Sequence, residues 1–241
     1  MRVGGTTVSV QILLAAIAIL VTHFLLLRRA RAKGLLPETA GMVSVAMVVV
    51  GLVAAYWFRG VYFADAVKHD WRVLLGLQSG AASFGGIAGG LLGGWGYLKA
   101  RRFSSHDALR YLDALAFVFP SGWIFGRLGC ALLHDHPGAP STSLLAVRFP
   151  GESRFDLAII ELVFLLFVLI PLFALLNRRK HPAGFWLGAF LSIYGAFRLW
   201  LDTLHVDPPR YGPFTVDCWA YGIALLGGLA ILISARKRAM E

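Results

Sequence analysis

Charged residues are scarce in this sequence of 241 residues. Asp, Glu, Lys and Arg make up 15% of the chain, whereas 58% of the residues are hydrophobic, and a soluble domain has about a quarter of its residues charged. The scarcity excludes a disordered chain and an ordinary soluble enzyme. Only two cysteines are present, Cys130 and Cys218, which excludes a disulfide framework and a CxxC metal motif. The composition therefore favours a polytopic membrane protein.

Seven apolar segments are long enough to cross a membrane, since a spanning helix needs about 20 mostly apolar residues. They are residues 8–27, 40–58, 73–98, 114–133, 157–176, 182–201 and 218–235. Little sequence remains outside them, and no internal repeat supports an inverted-repeat transporter. We therefore predict an all-α fold in which residues 1–241 form a single transmembrane domain.

Basic residues follow every second segment. More than half of the 23 Lys and Arg residues lie in the loops after the first, third, fifth and seventh segments. Because cytoplasmic loops carry an excess of Lys and Arg, we expect the N-terminus outside and the C-terminus in the cytoplasm.

The net charge of +10 has the same origin. Basic loops bind the anionic cytoplasmic leaflet, so the lipid bilayer is a sufficient partner for them. No groove-reading motif accompanies the charge. The sequence therefore predicts no nucleic-acid partner.

Four charged residues stand out within the segments or at their ends: Arg127, Glu161, Arg198 and Asp202. Charges in a membrane are costly and need a partner or a function. One interpretation is structural, with Arg127 paired to Glu161 across two helices and Arg198 paired to Asp202, four residues later on the same helix face. The other is a fork of two guanidinium groups for an anionic headgroup, since arginine binds phosphate in bidentate fashion.

The third segment is rich in glycine at four-residue spacing. Small residues at this spacing allow close helix packing, or they provide the floor of a groove for a lipid. The sequence leaves both interpretations open. The two adjacent stripes are Gly85, Gly89 and Gly93, and Gly86, Gly90 and Gly94.

The fourth segment ends in His134, Asp135 and His136. Three interpretations are open: a metal site, although no HExxH spacing is present; a polar cap at the membrane exit; and a general base, since histidine titrates near pH 6.5 and a neighbouring carboxylate can orient it. We predict no metal and no other cofactor.

Four short sequences together suggest a family. They are GRLG at residues 126–129, SFGGIAG at 83–89, DLAIIE at 156–161, and YGAFR at 194–198 followed by Asp202. Their order and the predicted seven-helix, N-outside topology resemble the prolipoprotein diacylglyceryl transferase family. The resemblance covers roughly residues 6–235, and it implies a multi-pass protein of the bacterial cytoplasmic (inner) membrane.

The resemblance implies a transferase that moves a diacylglyceryl group from phosphatidylglycerol to the lipobox cysteine thiol in the signal peptide of a preprolipoprotein, with release of glycerol-1-phosphate. Arg127 and Arg198 would bind the headgroup, and Glu161 and Asp202 would hold these arginines. Residues Gly85, Gly86 and Gly129 would shape the cavity. His134, oriented by Asp135, could deprotonate the thiol, whose free pKa is near 8.5.

The sequence departs from the family pattern at the acid–base positions. Phe84 stands where the family has histidine, and Cys130 stands where it has asparagine. A Tyr-Gly pair expected early in the first helix is absent, and Gln11 lies nearby. These departures leave open a relative that binds or modifies phospholipid without lipoprotein transfer. A small-solute transporter and a His/Asp metallohydrolase are two more functions that the sequence leaves open.

Overall fold

The computed structural model describes residues 2–3, 6–7, 10–62, 68–69, 83–144, 146–206, 208, 210–238 and 240. Its helices are α1 Val10–Ala32, α2 Pro37–Tyr62, α3 Ser83–Ala100, α4 Ser105–Leu133, α5 Leu157–Phe164, α6 Ile170–Leu176, α7 Phe185–Asp202 and α8 Val216–Arg238. The π-helical segment Leu165–Leu169 joins α5 to α6. The fold is therefore dominated by helices, as predicted.

Five of the predicted spans are confirmed as helices long and apolar enough to cross a membrane. They are Val10–Ala32, Pro37–Phe58, Ser105–Leu133, Leu157–Leu176 and Val216–Arg238. The segments predicted at 73–98 and 182–201 correspond to α3 and α7, which have only 18 residues each. Glycine lowers the hydropathy of α3, and Arg198 and Asp202 lower that of α7; residues 73–82 lie outside the described residues. The architecture is that of a polytopic membrane protein.

Glycines set the distance between three pairs of helices. A Cβ on Gly89 would lie 2.2 Å from the Ala54 side chain, so α2 and α3 touch through their backbones. In the same way, a Cβ on Gly122 of α4 would lie 1.8 Å from the Thr22 hydroxyl of α1, and α7 and α8 approach each other closely at Gly228. Only a residue without a side chain permits these approaches.

The basic loops gather at one end of the helices. The Arg110 guanidinium donates to the Lys33 carbonyl at 3.3 Å, which joins the start of α4 to the α1–α2 loop. Arg29 donates to the Asn177 side chain at 2.9 Å, at the end of α6. Arg238 at the end of α8 donates to the carbonyl of Ala183 at 3.2 Å. The sequence pattern of alternating basic loops thus corresponds to one basic end.

Short strands cover the opposite end. An antiparallel sheet in the order β3–β5–β4 is formed by Pro137–Pro140, Ser153–Asp156 and Ala146–Arg148. Two further antiparallel pairs join β1 (Arg2–Val3) to β2 (Thr6–Thr7) and β6 (Arg210–Tyr211) to β7 (Phe214–Thr215). The sheet begins where α4 ends and leads directly into α5, so it lies beside the charged residues that the sequence singled out.

Candidate functional site

Arg127 is buried in α4 and points toward α5. Only 3% of the residue is exposed. Its Nε donates to Glu161 Oε1 at 2.7 Å, and its Nη2 donates to the Ser83 hydroxyl at 3.2 Å, at the start of α3. One guanidinium group thus joins three helices, and its Nη2 is held by a neutral hydroxyl rather than by a carboxylate.

Glu161 is the centre of the cluster and is fully buried. Besides Arg127, its Oε1 accepts from Trp123 Nε1 at 3.0 Å and from the Tyr194 hydroxyl at 2.6 Å. Its Oε2 accepts from Arg198 Nη1 at 2.7 Å. Both oxygens are satisfied, as a buried carboxylate requires. The predicted Arg127–Glu161 pairing is confirmed. Tyr194 begins the YGAFR segment of the family resemblance but was not assigned a role, whereas Trp123 had no distinguishing signal in the sequence.

Besides Glu161, Arg198 contacts a second carboxylate, and this is not the predicted Asp202. Its Nη2 donates to Asp217 at 2.8 Å, in the first turn of α8. Asp202, at the end of α7, instead accepts from the Thr215 hydroxyl at 2.5 Å. It also lies 3.4 Å from the His205 ring. The four-residue spacing placed Asp202 on the Arg198 face, but the close packing of α8 against α7 brings Asp217 nearer to the guanidinium.

The cluster balances its charges within the membrane region. Arg127 and Arg198 face Glu161 and Asp217, so two cations meet two carboxylates. Removing one member would leave a buried charge without its partner, which is strongly destabilising. The same pairing fixes both guanidinium groups in one orientation before any ligand arrives.

An apolar cavity of about 340 Å³ includes Ser83 in its wall. Side chains and glycines of α1, α2, α3, α4 and α7 line it, and Trp123 and Gly126 of α4 are among them. Two of its lining residues, Ile19 of α1 and Leu52 of α2, are 39% and 51% exposed. The cavity therefore combines partly exposed apolar side chains with the hydroxyl that accepts from Arg127.

The three glycines predicted to shape the cavity do not all lie in its wall. Gly86 lines the cavity. Gly85 does not, because a Cβ there would lie 2.5 Å from Phe58, in the α2–α3 interface. Gly129 likewise packs against α1, because a Cβ there would lie 3.3 Å from the Cα of Gln11. The prediction that all three shape the cavity is therefore wrong for Gly85 and Gly129, which serve close helix packing.

His134 is not oriented by Asp135, in contrast to the prediction. It caps the C-terminus of α4 with a φ of 50°, and its Nδ1 donates to Asp156 at 2.7 Å. Asp156 also accepts from the backbone of Ala158 and so caps α5. The left-handed backbone turns the His134 ring toward the start of α5, where it ties two helix ends together.

Asp135 instead orients His136. A carboxylate can only accept, so His136 Nδ1 donates to Asp135, and this leaves Nε2 as the acceptor. Gln11 donates to Asp135 at 3.2 Å and to the Cys130 sulfur at 3.7 Å. Burial raises the pKa of Asp135, but the hydrogen bond from His136 and its electrostatic effect outweigh the burial, and the pKa lies below its usual value.

Two groups of described residues have the composition of metal ligands. Cys130, Asp135 and His136 form one group, and Asp202, His205 and Asp217 form the other. Within each, one ligand atom per residue lies within 4.8 Å of the others. The first group also has the arrangement of an acid–base pair beside a thiol.

Phe84 occupies the position where the family pattern has histidine. Its ring lies 5.4 Å from that of Phe58 and 5.5 Å from that of Tyr221, in edge or tilted contacts. The position therefore contributes aromatic packing between α2, α3 and α8. Any proton transfer in this protein has to use another residue.

Comparison with known proteins identifies similar sequences along nearly the whole chain. The family model described as prolipoprotein diacylglyceryl transferase matches residues 1–234. A phosphatidylglycerol–prolipoprotein diacylglyceryl transferase of Frankia alni is 28% identical over 98% of this chain and 65% of its own length. Proteins of the same name from Chromohalobacter salexigens and Nitratidesulfovibrio vulgaris are 24% and 32% identical, over 89% and 67% of this chain.

The alignments also differ in how much of each relative they include. The chain covers 65% of the Frankia alni protein and 60% of that of Frankia casuarinae, but 83% of the Chromohalobacter salexigens protein. The identities are low, but the family model matches from residue 1 to residue 234, within α8. The chain belongs to the prolipoprotein diacylglyceryl transferase family.

Proposed function

We propose that this protein transfers a diacylglyceryl group from phosphatidylglycerol to the lipobox cysteine of a preprolipoprotein. The observation that carries the proposal is the contact of Arg127 with Ser83, a residue that lines the apolar cavity. Acyl chains would occupy the cavity, and the phosphate would displace the Ser83 hydroxyl from Arg127. Phosphatidylglycerol and prolipoprotein are also the substrates in the relatives' names.

The transfer exchanges one bond to the glycerol carbon for another. The cysteine thiolate attacks the carbon that carries the phosphate, an S–C bond forms, the C–O bond breaks, and glycerol-1-phosphate leaves. The two guanidinium groups would stabilise the charge that develops on the leaving phosphate. Glu161 and Asp217 would act as positioning residues, since their ion pairs hold Arg127 and Arg198 in place.

His136 is the residue we propose as the general base. Its Nδ1 is held by Asp135, so Nε2 is the basic nitrogen, as in other carboxylate-oriented imidazoles. Cys130 lies within 4.8 Å of this pair and is one helical turn from Arg127, which brings the base close to the phosphate end of the cavity. The contact of His134 with Asp156 favours a structural role for that residue.

The proposed setting is a single transmembrane domain over residues 1–241 in the bacterial inner membrane, with seven spans. α3 and α7 would be the two remaining spans, although their apolar stretches are shorter than those of the other five. The basic end would face the cytoplasm, and the strands and Arg127 would then lie toward the outer side, where a lipobox cysteine emerges from the membrane. Cysteine accessibility labelling of residue 101 and residue 151 in intact cells tests this orientation.

Reconstitution tests the function directly. Purified protein in phosphatidylglycerol vesicles is incubated with a lipobox peptide, and the mass of the peptide cysteine is measured. Arg127→Ala and Arg198→Ala should each abolish the product, and His136→Gln should reduce it at least a hundredfold, the lower range for loss of a general base. Arg154→Ala, a half-exposed arginine paired with Glu152, is the control and should retain activity. Full activity in Arg127→Ala would exclude the phosphate role.

A second candidate function is phospholipid binding or modification without transfer to a lipoprotein. The packing of Phe84 between two aromatic rings favours it, because no base is present at that position. The same vesicles distinguish the two: this candidate expects phosphatidylglycerol to remain bound to the purified protein in an Arg127-dependent manner while the peptide cysteine stays unmodified.

A further inference from the structure

A second cavity lies at the basic end, on the side opposite the strands. Its volume is about 310 Å³, and it is bounded by the end of α1, the start of α4 and the segment 179–186. Four permanent cations contribute to its walls: Arg29, Lys33, Arg110 and Arg179. We call it the basic cavity. It shares no lining residue with the apolar cavity that includes Ser83.

The acid in the wall of the basic cavity is already engaged. Asp113 accepts from the backbone nitrogen of Gly184 at 2.7 Å and from that of Leu187 at 2.9 Å. Both contacts hold the start of α7. Asp113 therefore serves mainly to cap a helix, and it offsets only part of the positive charge around it.

The cations have few partners of opposite charge. Among the described residues, Arg110 has a carboxylate within 4.0 Å, that of Asp107 at 3.6 Å, whereas no such ion pair is found for Arg29, Lys33 or Arg179. The Arg29 guanidinium lies 3.3 Å over the Phe117 ring, which fixes it in place. Burial and the nearby charge of Arg29 both lower the pKa of Lys33. The basic cavity thus collects cations that repel each other.

An anion that enters the cavity would attract these cations and offset their mutual repulsion. The remaining wall indicates which anion fits, because Leu35, Ala114, Pro182 and Trp186 give it apolar surface. The spanning helix Val10–Ala32 ends directly before Lys33, so the cavity lies at the boundary of the membrane. A ligand with a phosphate and an apolar part matches both surfaces.

We infer that the basic cavity binds the phosphate of an anionic phospholipid from the leaflet at the basic end. The four cations surround the phosphate, and the glycerol and first acyl carbons contact the apolar wall. This site is distinct from the proposed transfer site in position and in residues. Its ligand would be a bound lipid rather than a substrate.

The test compares two double variants that remove the same charge from the same end. Lys33→Ala/Arg179→Ala removes two cations that line the cavity, and Arg101→Ala/Arg178→Ala removes two exposed cations that do not. Each protein is delipidated in detergent and titrated with tetraoleoyl cardiolipin, phosphatidylcholine or inorganic pyrophosphate. Bound ligand is counted by native mass spectrometry, and the unfolding temperature is followed in parallel.

We expect cardiolipin to bind the wild type and the control variant equally, and to bind Lys33→Ala/Arg179→Ala about thirtyfold more weakly, since each basic residue near an anionic lipid contributes a factor of about five. Equal cardiolipin affinity in the two double variants would overturn the site, and so would binding of phosphatidylcholine as tight as that of cardiolipin. Pyrophosphate binding that depends on Lys33 and Arg179 without any cardiolipin binding would support a phosphate site but overturn its assignment to a lipid. Peptide transfer is measured separately, so loss of that activity does not affect this result.

Discussion

Replacement of Glu161 by Gln is the sharpest perturbation of the buried cluster. Glu161 is fully buried, and its two oxygens accept four hydrogen bonds, two of them from arginines. An amide keeps one acceptor oxygen but turns an NH2 group toward a donor and removes the negative charge. Arg127 would then have no carboxylate partner among the described residues, whereas Arg198 would keep Asp217.

The expected cost follows from this loss of one partner. Breaking a buried ion pair by removing one charge destabilises a protein by about 3–5 kcal/mol. The control is Glu152→Gln, since Glu152 forms an exposed pair with Arg154, and such pairs are worth about 0–1 kcal/mol. Unfolding in detergent is followed for both variants by circular dichroism. A Glu161→Gln protein as stable as Glu152→Gln would refute the central role of this carboxylate.

A double replacement separates stability from function. Arg127→Met/Glu161→Met removes both charges and leaves the neutral pair of Arg198 with Asp217. Replacing a whole buried pair by apolar residues of similar volume is often neutral or stabilising, so this variant should unfold close to the wild type. It should nevertheless form no lipidated peptide. Transfer activity in the double variant would show that the cluster is only a structural link between helices.

Three further variants test other parts of the structure. Gly86→Leu should fill the apolar cavity and abolish phosphatidylglycerol turnover, as measured by release of glycerol-1-phosphate, while the secondary structure content is retained. Gly122→Ala should lower the unfolding temperature, because its Cβ would lie 1.8 Å from the Thr22 hydroxyl. Asp135→Asn should lower stability at neutral pH. Since His136 lowers the pKa of Asp135, this difference from the wild type should persist down to about pH 4 and disappear as the pH falls further through the lowered pKa, below the usual value of about 3.9. Unfolding scans between pH 3 and pH 8 measure it, and a difference that grows toward acid pH would contradict the assigned pairing.

The helices and their charged residues could be predicted because both signals are local. A run of about 20 apolar residues specifies a spanning helix by itself, and a charge within such a run is conspicuous. The pairing of Arg127 with Glu161 followed from the small number of buried charges available. Trp123, by contrast, is one of seven tryptophans, and nothing in the local sequence distinguishes it from a tryptophan that packs elsewhere. Tyr194 belongs to the quoted YGAFR segment, but that segment does not reveal that the Tyr194 hydroxyl reaches Glu161.

The errors in the predicted site come from contacts between distant segments. Asp202 is close to Arg198 in sequence, but Asp217 reaches the guanidinium because α8 packs tightly on α7, with only 3.1 Å from a Gly195 Cβ to the carbonyl of Tyr221. The predicted contact of Asp135 with His134 is wrong for a similar reason. The left-handed turn at His134 directs its ring to Asp156, a residue 22 positions later. Spacing along the chain could not reveal either contact.

The two glycine stripes of α3 show how one helix can be both packed and open. The first stripe, Gly85, Gly89 and Gly93, packs against α2. A Cβ on any of these glycines would lie only 2.2 to 2.7 Å from the nearest atom of α2, so no side chain fits there. Gly86 and Gly90 are one residue further along, about 100° around the helix, and line the apolar cavity instead. The first stripe fixes the position of α3, so the width of the cavity depends on the absence of side chains in the second. A lipid chain beside Gly86 would therefore contact a rigid wall of backbone, and the phosphate of that lipid would be held at the end where Ser83 meets Arg127.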